Sequence, residues 1–178
     1  MRNRTKRVCA TALCILCLLA LFPVRAAAAG AIDTSRDVRL TIEYRHDGKP
    51  VVSVPFELYY VASVDTYANF TLAGNFTAYP VTLENLTAAE WTALAETLAA
   101  YAERDNLTPL DSGKTDASGS LTFPNETDRL APGLYLAVGK KHTAGGYTYT
   151  TEPFLVSLPN LENDAWVYDV TASPKHTR

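Results

Sequence analysis

The sequence has few cysteines and places all of them near its start. Only three of the 178 residues are cysteine, and these are Cys9, Cys14 and Cys17. The rest of the chain can therefore form no disulfide, no thiolate metal site and no thiol nucleophile. Its stability must come from buried surface or from some other covalent bond.

A long apolar run is missing as well. The longest run, from Val8 to Phe22, falls short of the about 20 residues that a membrane span needs. Basic residues precede it, and the small residues Ala26 to Ala29 follow. This order is typical of a secretory signal peptide, with an uncleaved anchor as the alternative. We predict a signal peptide over residues 1–28 and a single domain over residues 29–178.

Positive charge is scarce in the predicted mature chain. The signal peptide holds five of the 16 basic residues and none of the 19 acidic ones, which leaves 11 basic residues and a net charge near −8. Such a chain has no electrostatic basis for binding nucleic acid or an anionic membrane. We expect neither to be a partner of the mature form.

Motifs for catalysis and metal binding are also absent. The sequence contains no Gly-x-Ser-x-Gly elbow and no phosphate-binding glycine loop. His46, His142 and His176 lack a metal-ligand spacing, so solvated loop histidines are the favoured interpretation. We expect no catalytic residue, no metal and no cofactor. A secreted hydrolase whose paired carboxylates meet only in space stays an alternative.

Alternating segments dominate the rest of the chain. The first places Val38, Leu40, Ile42 and Tyr44 on one face, with the period of a half-buried strand. A turn is expected at Asp47-Gly48, because glycine readily adopts positive φ. A second strand then carries Val52, Val54, Phe56, Leu58 and Tyr60 on one face. Pro55 cannot donate to a ladder and is expected at an edge or a bulge.

One segment has the period of a helix. Thr87-Ala88-Ala89-Glu90 is a capping box, and apolar residues recur at helical spacing to about Arg104. We predict one amphipathic helix over about 87–104, packed on a sheet. With short strands on both sides of it, the predicted fold class is mainly β, an Ig-like or prealbumin-like β-sandwich with this helix inserted.

An aromatic stretch without clear periodicity lies between residues 65 and 80. We predict a long loop or ragged hairpin there. Its aromatic side chains are candidates for a binding loop that recognises a host protein or glycan, and they are Tyr67, Phe70, Phe76 and Tyr79. A free secreted adhesion module is therefore one hypothesis for function.

The last residues combine an alternating strand, a proline and a lysine, from Trp166 to Lys175. With earlier segments they resemble, in order, the N-terminal domain of Gram-positive sortase-assembled pilins and the related Cna protein B-type (SpaA-like) surface domains. The other matching segments are Asp47 to Pro50, Val54 to Tyr59, the alanine-rich helix, Thr115 to Gly119, Leu130 to Leu136 and Pro153 to Pro159.

The pilin motif of that family is Trp-x-x-x-Val-x-Val-Tyr-Pro-Lys. The positions that match are Trp166, Val170, Pro174 and Lys175, whereas Ala172 and Ser173 replace the valine and tyrosine. The resemblance implies a secreted subunit at the surface of a Gram-positive bacterium, with a sortase and other pilin subunits as partners. It also implies that the Lys175 amine accepts an acyl group and forms an intersubunit isopeptide bond. An ordinary surface lysine is the alternative.

A pilin that donates its own acyl group carries a Leu-Pro-x-Thr-Gly signal. The nearest approach in this chain, Leu158 to Glu162, lacks Thr-Gly. We therefore expect Lys175 to act as an acceptor and the chain not to donate. A piece of a longer pilin, a solitary secreted domain and a subunit that ends a fibre all remain open.

Overall fold

The computed structural model describes residues 30–178, so the predicted signal peptide lies outside the described residues. The helix α1 spans Ala88–Arg104, and a short 3-10 helix spans Gly74–Ala78. The strands are β1 (Arg39–Glu43), β2 (Arg45–His46), β3 (Lys49–Pro50), β4 (Pro55–Val64), β5 (Phe70–Leu72), β6 (Asp111–Lys114), β7 (Ser120–Phe123), β8 (Gly133–Gly139), β9 (His142–Ala144), β10 (Tyr147–Thr151), β11 (Phe154–Leu158), β12 (Asn160–Glu162), β13 (Ala165–Val167), β14 (Asp169–Ala172) and β15 (His176–Thr177). Within these residues, no helix is long and apolar enough to cross a membrane.

Two sheets form the sandwich. In one, β1 lies between β14, which runs parallel to it, and β7, which runs antiparallel. In the other, the strand order is β11-β8-β4-β5, and β6 pairs with the opposite end of β4. Smaller antiparallel ladders join β15, β10 and β9, join β12 to β13 and join β2 to β3. The predicted class, mainly β with one inserted helix, is confirmed.

Both faces of β4 and β8 are buried, because these strands separate two cores. Phe56 and Leu58 face the core that is shared with β1, β7 and β14. Tyr59 and Val61 face the opposite way, into the core that is shared with α1. The residues of β8 divide in the same manner, Tyr135 and Ala137 on one side and Leu134 and Leu136 on the other. Since successive strand residues point to opposite faces, these strands must be apolar throughout.

The strand β4 begins later than the sequence predicts. Val52 lies before it and is 41% exposed, so it does not belong to the buried face. Pro55 is the first residue of this central strand and not an edge or bulge residue. A proline fits there because a strand's first residue need not donate, and its carbonyl accepts from the Lys140 N–H at 2.8 Å. The register shift against β8 falls between Tyr60 and Ala62 instead.

The helix begins as predicted, with a complete capping box. Thr87 Oγ1 accepts from the Glu90 N–H at 3.3 Å, and Glu90 Oε2 accepts from the Thr87 N–H at 2.7 Å. These two bonds satisfy amides that would otherwise lack partners at the start of the helix. The residues that α1 buries against the sheet are Leu94, Ala95, Leu98 and Ala102. The prediction of one amphipathic helix over about 87–104 is confirmed.

A buried carboxylate holds the loop between β7 and β8. Asp111, at the start of β6, is 2% exposed. It accepts from the backbone N–H groups of Ser112 at 2.7 Å, Asn125 at 2.7 Å and Glu126 at 2.9 Å. Hydrogen bonds to an ionised acceptor are stronger than bonds between neutral groups. The three bonds to Asp111 therefore replace the hydrogen bonds with water that its carboxylate loses on burial.

We predict that Asp111→Ala lowers the free energy of unfolding by about 2–4 kcal/mol, because it removes the common acceptor of three backbone donors. Denaturation in urea, followed by circular dichroism, measures this change. Asp128→Ala is the matched control, since it removes an exposed carboxylate from the same loop. The control should stay within about 0.5 kcal/mol of the parent protein. Equal effects of the two substitutions would contradict the proposed role of Asp111.

Candidate functional site

The predicted motif residues lie along the segment from β13 to the start of β15, with Pro174 and Lys175 between β14 and β15. Val170, on β14, is buried in the core between the sheets and lies opposite Leu40 in the parallel ladder with β1. Trp166, on β13, is half-buried against the same core. Its indole Nε1–H donates to the Gly30 carbonyl at 2.5 Å. The segment from Trp166 to Val170 is therefore fixed by packing, by the ladder with β1 and by the hydrogen bond to Gly30.

Tyr168 is a further anchor of this strand, which the sequence analysis did not single out. It is buried, and its hydroxyl accepts from the Asp33 N–H at 2.8 Å. The Arg36 guanidinium lies 4.2 Å from the centroid of its ring, within cation–π range. One feature of the sequence could have predicted that Tyr168 is buried. It lies two residues before Val170, and residues two apart in an extended chain point to the same face.

The Lys175 side chain is exposed, whereas its backbone is held against the end of β10. Its carbonyl accepts from the Glu152 N–H at 3.0 Å. The next residue, His176, begins β15 and lies opposite Thr151 on β10. The His176 ring packs inward, 4.6 Å from the ring of Tyr44. Since neighbouring residues of an extended chain point in opposite directions, the Lys175 amine points outward from a fixed backbone.

A cleft of about 250 Å³ opens beside Lys175. It lies between the first turns of α1, the start of β11 and the segment that follows β14. Its mostly apolar lining includes Trp91, Ala95, Phe154, Leu155 and Pro174. Ala172 and Ser173 also line it, at the two positions where the pilin motif has valine and tyrosine. Their smaller side chains leave more room beside the amine than the motif's own residues would.

The nearest approach to a sorting signal is part of the fold. Leu158 is the buried last residue of β11, and Asn160–Glu162 forms β12, which pairs with β13. This segment therefore supports the strand that carries Trp166, because Leu161 lies opposite Trp166 in that ladder.

The aromatic residues proposed as a binding loop do not form one exposed surface. Tyr67 is 83% exposed, but Phe76 is 2% exposed and belongs to the core under α1. Phe70, on β5, is half-buried. Tyr79 stacks on Tyr101 of the helix, with ring centroids 4.5 Å apart. Of the four residues, Tyr67 is the one that is mostly exposed, whereas Tyr79 is half-buried like Phe70.

Two of the three histidines meet in the structure. His46 Nδ1 and His176 Nε2 lie 3.0 Å apart, and the side chain of His46 is 25% exposed. The sequence interpretation of scattered, solvated histidines was wrong for this pair, because the fold joins two segments that are 130 residues apart. Across residues 30–178, no group of three or more His, Cys, Asp and Glu side chains is placed to hold a metal ion.

The end of α1 fixes Tyr79 through a charged hydrogen bond. The Tyr79 hydroxyl donates to Asp105 Oδ2 at 2.5 Å, and the Arg104 guanidinium donates to both oxygens of the same carboxylate. The bonds from Arg104, and then the bond from Tyr79, lower the pKa of Asp105 to about 2. Both donors favour the ionised carboxylate.

We predict that Tyr79→Phe raises the pKa of Asp105 above about 2, because it removes one of the donors that stabilise the charged form. Because the folded-state pKa of Asp105 is lowered, its ionised carboxylate stabilises the folded parent protein. This stabilisation is fully present above the unfolded-state pKa of about 3.9 and is lost as the pH falls through about 2. An NMR titration of the carboxyl groups measures the pKa of Asp105 in the parent protein and in the variant. Tyr67→Phe is the control and should leave Asp105 unchanged; an unchanged pKa in Tyr79→Phe would refute this contact.

Comparison with known proteins gives matches among solved structures. No family model matches the sequence, and no curated protein matches it. The fimbrial protein FimP from Actinomyces oris matches with a TM-score of 0.50 and 21% identity, over 84% of this chain and 31% of FimP. The full-length major pilin SpaD from Corynebacterium diphtheriae matches with a TM-score of 0.46 and 25% identity, over 82% of this chain and 31% of SpaD.

The similarity to FimP confirms the predicted pilin-like β-sandwich at the level of the fold. The chain spans 31% of the length of FimP and of SpaD. The shaft pilin SpaA from Lactobacillus rhamnosus GG matches with a TM-score of 0.43 and 19% identity, over 79% of this chain and 49% of SpaA.

Proposed function

We propose that this protein is a secreted pilin-like structural subunit at the surface of a Gram-positive bacterium, and that Lys175 accepts an acyl group from a sortase. The observation that carries this proposal is an exposed lysine side chain whose backbone is paired with the end of β10, beside an open cleft. The motif residues around Lys175 and the pilin-like fold support it. The predicted signal peptide would export the chain to where such a reaction takes place.

The reaction needs one nucleophile from this chain. The neutral Lys175 amine attacks the carbonyl carbon of a thioester between a donor pilin and the sortase cysteine. A C–N bond forms, the C–S bond breaks and the cysteine leaves as a thiolate. The nitrogen loses one proton, which the thiolate or a base of the sortase takes up. The product is an isopeptide bond between two subunits, and no catalytic group of this chain is required.

The cleft beside Lys175 is suited to hold the acyl donor in place. Its lining by Trp91, Phe154 and Leu155 offers apolar surface, which favours extended peptide with apolar side chains. Holding a donor against a fixed amine accelerates the reaction by proximity, because the two groups then react as if within one molecule. A binding role for the aromatic stretch has less support, since Phe76 is buried and Tyr79 is bonded to the helix.

We predict that Lys175→Ala abolishes covalent joining to a donor pilin. The assay incubates the protein with a class C sortase and a donor pilin that carries a sorting signal, and it detects the product on a denaturing gel and by mass spectrometry of the crosslinked peptide. Lys175→Arg should also be inactive, because it keeps the charge but has no lysine amine to acylate.

The matched control for this experiment is Lys141→Ala. Lys141 is an exposed lysine that also lies in a connection between strands, here between β8 and β9. Its loss should leave the yield of product unchanged. An undiminished product from Lys175→Ala, or a crosslink mapped to another lysine in the parent protein, would refute the proposed role of Lys175.

We predict that Thr92→Trp slows the same reaction by about tenfold or more, because its indole would occupy the cleft where the donor must lie. Thr97→Trp is the matched control. Both threonines are exposed residues of α1 and donate their hydroxyls to the carbonyl four residues earlier, but only Thr92 lines the cleft. Initial rates of product formation test this, and equal rates in the two variants would exclude the cleft as the donor site.

A further inference from the structure

The cleft beside Lys175 opens at an edge of the larger sheet. The strand β11 pairs with β8 on one side, and the ladders of residues 30–178 place no strand on its other side. Leu155 of β11 packs toward the core under α1, and Phe154 packs toward the core that is shared with β14. Both residues line the cleft. The cleft therefore lies at the edge of the sheet, between the two layers that cover its faces.

Two prolines keep this edge open. The ladder of β10 and β15 continues for one step, to the hydrogen bond that the Glu152 N–H donates to the Lys175 carbonyl at 3.0 Å. The next residues on the two sides are Pro153 and Pro174, and both line the cleft. Neither has an N–H that could continue the ladder. The two segments separate beyond this point, and the cleft lies between them.

The pairing of the neighbouring strands determines which backbone groups of β11 face the cleft. The Lys140 N–H donates to the Pro55 carbonyl, so the backbone groups of Lys140 point toward β4. These groups alternate in direction along an antiparallel strand, so those of Ala137, three residues earlier, point toward β11. Ala137 lies opposite Phe154. Phe154 therefore bonds to β8, and the N–H and C=O of Leu155 point into the cleft.

These backbone groups have no partner within the described chain. Among residues 30–178, no backbone hydrogen bond outside the ladder with β8 involves Leu155 or Ser157. Ser157 follows the same alternation and points its groups to the same side as Leu155. A strand edge that exposes unpaired N–H and C=O groups is a template for pairing with another extended chain.

We propose that the donor peptide binds as an added β-strand on the free edge of β11, paired through the N–H and C=O of Leu155. The occupant is the segment of the donor that ends at the acyl carbon, so the added strand rests on the proposed function of Lys175. Successive side chains of an extended peptide point to opposite faces. One set would contact the helix wall of the cleft, at Trp91 and Ala95, and the other set the wall formed by residues 172–174.

The position of Lys175 sets the direction of the added strand. Lys175 is bonded to Glu152, just before β11, and β11 runs away from this point toward Leu158. The acyl carbon of the donor must reach the Lys175 amine, so the peptide must run toward that end, antiparallel to β11. At about 3.3 Å per residue, the donor residue opposite Leu155 lies about two or three positions before the acyl residue.

The test uses a synthetic peptide from the donor pilin, which ends at the threonine of the Leu-Pro-x-Thr-Gly signal and carries a C-terminal amide. NMR follows its binding to the isotope-labelled protein at millimolar concentrations of peptide. We expect the amide resonances of Leu155 and Ser157 to shift downfield as they gain hydrogen-bond partners. The strand β5, at the opposite edge of the same sheet, is the internal control, and its resonances should not move.

Ester bonds placed one at a time along the peptide test for strand pairing. Each ester removes one N–H donor and adds no bulk. In an added strand, alternate N–H groups bond to β11 and the others point away from it. Esters should therefore weaken binding by about fivefold or more at every second position, and by less than about twofold at the positions between them. A uniform effect, or none, would overturn the added strand.

Protein variants separate this test from the joining reaction. Lys175→Ala should bind the peptide within about twofold of the parent protein, because the backbone of β11 makes the contact. Thr92→Trp should abolish the shifts by filling the cleft, whereas Thr97→Trp, the matched control outside it, should keep them. Circular dichroism establishes that each variant is folded before its binding is compared.

The possible results distinguish the added strand from the acceptor role of Lys175. Joining through Lys175 without shifts at Leu155 would overturn the added strand and leave the acceptor role intact. Alternating ester effects without joining would support the added strand and refute the acceptor role. No binding at millimolar peptide, shifts at β5 in place of β11, or contacts that show a parallel peptide would each overturn the added strand as proposed.

Discussion

The antiparallel pairing of β4 with β8 is the contact on which the rest of the structure depends. The register runs from Phe56 opposite Gly139 to Ser63 opposite Gly133, and it puts apolar side chains on both faces of the pair. Burial of apolar surface is the main favourable term in folding, so each face requires a cover. The sheet of β14, β1 and β7 covers one face, and α1 covers the other. Neither cover can be removed without exposing a core.

The position of Lys175 follows from that central pair. The strand β11 is placed by its ladder with β8, from Phe154 opposite Ala137 to Leu158 opposite Gly133. Glu152 stands just before β11, and its N–H holds the Lys175 carbonyl. From the other side, β14 is aligned by β1, which packs on the same core. The amine is therefore presented by the rigid part of the fold, although the segment around it contains little regular structure.

Local patterns in the sequence predicted the fold class and the helix. They could not predict contacts between segments that are far apart in the sequence. The capping box fixed the start of α1 because its bonds join residues three apart. Period-two alternation found the buried face of β1, but it assigned one face to β4 and so missed Tyr59 and Val61. The motif spacing could propose Lys175 as a candidate from the sequence alone. The burial of Phe76 and the contact of His46 with a histidine 130 residues away, however, depend on the folded chain.

The parallel alignment of β14 with β1 sets how this domain would carry a mechanical load. Four register pairs join the strands, from Arg39 opposite Asp169 to Ile42 opposite Ala172. A pull that enters at the Lys175 side chain reaches β14 within three residues. Directed along the strand, the load would be shared by the hydrogen bonds of the whole ladder in shear; directed across it, the bonds would open one after another. Resistance to force would therefore depend on the direction of tension as well as on its size.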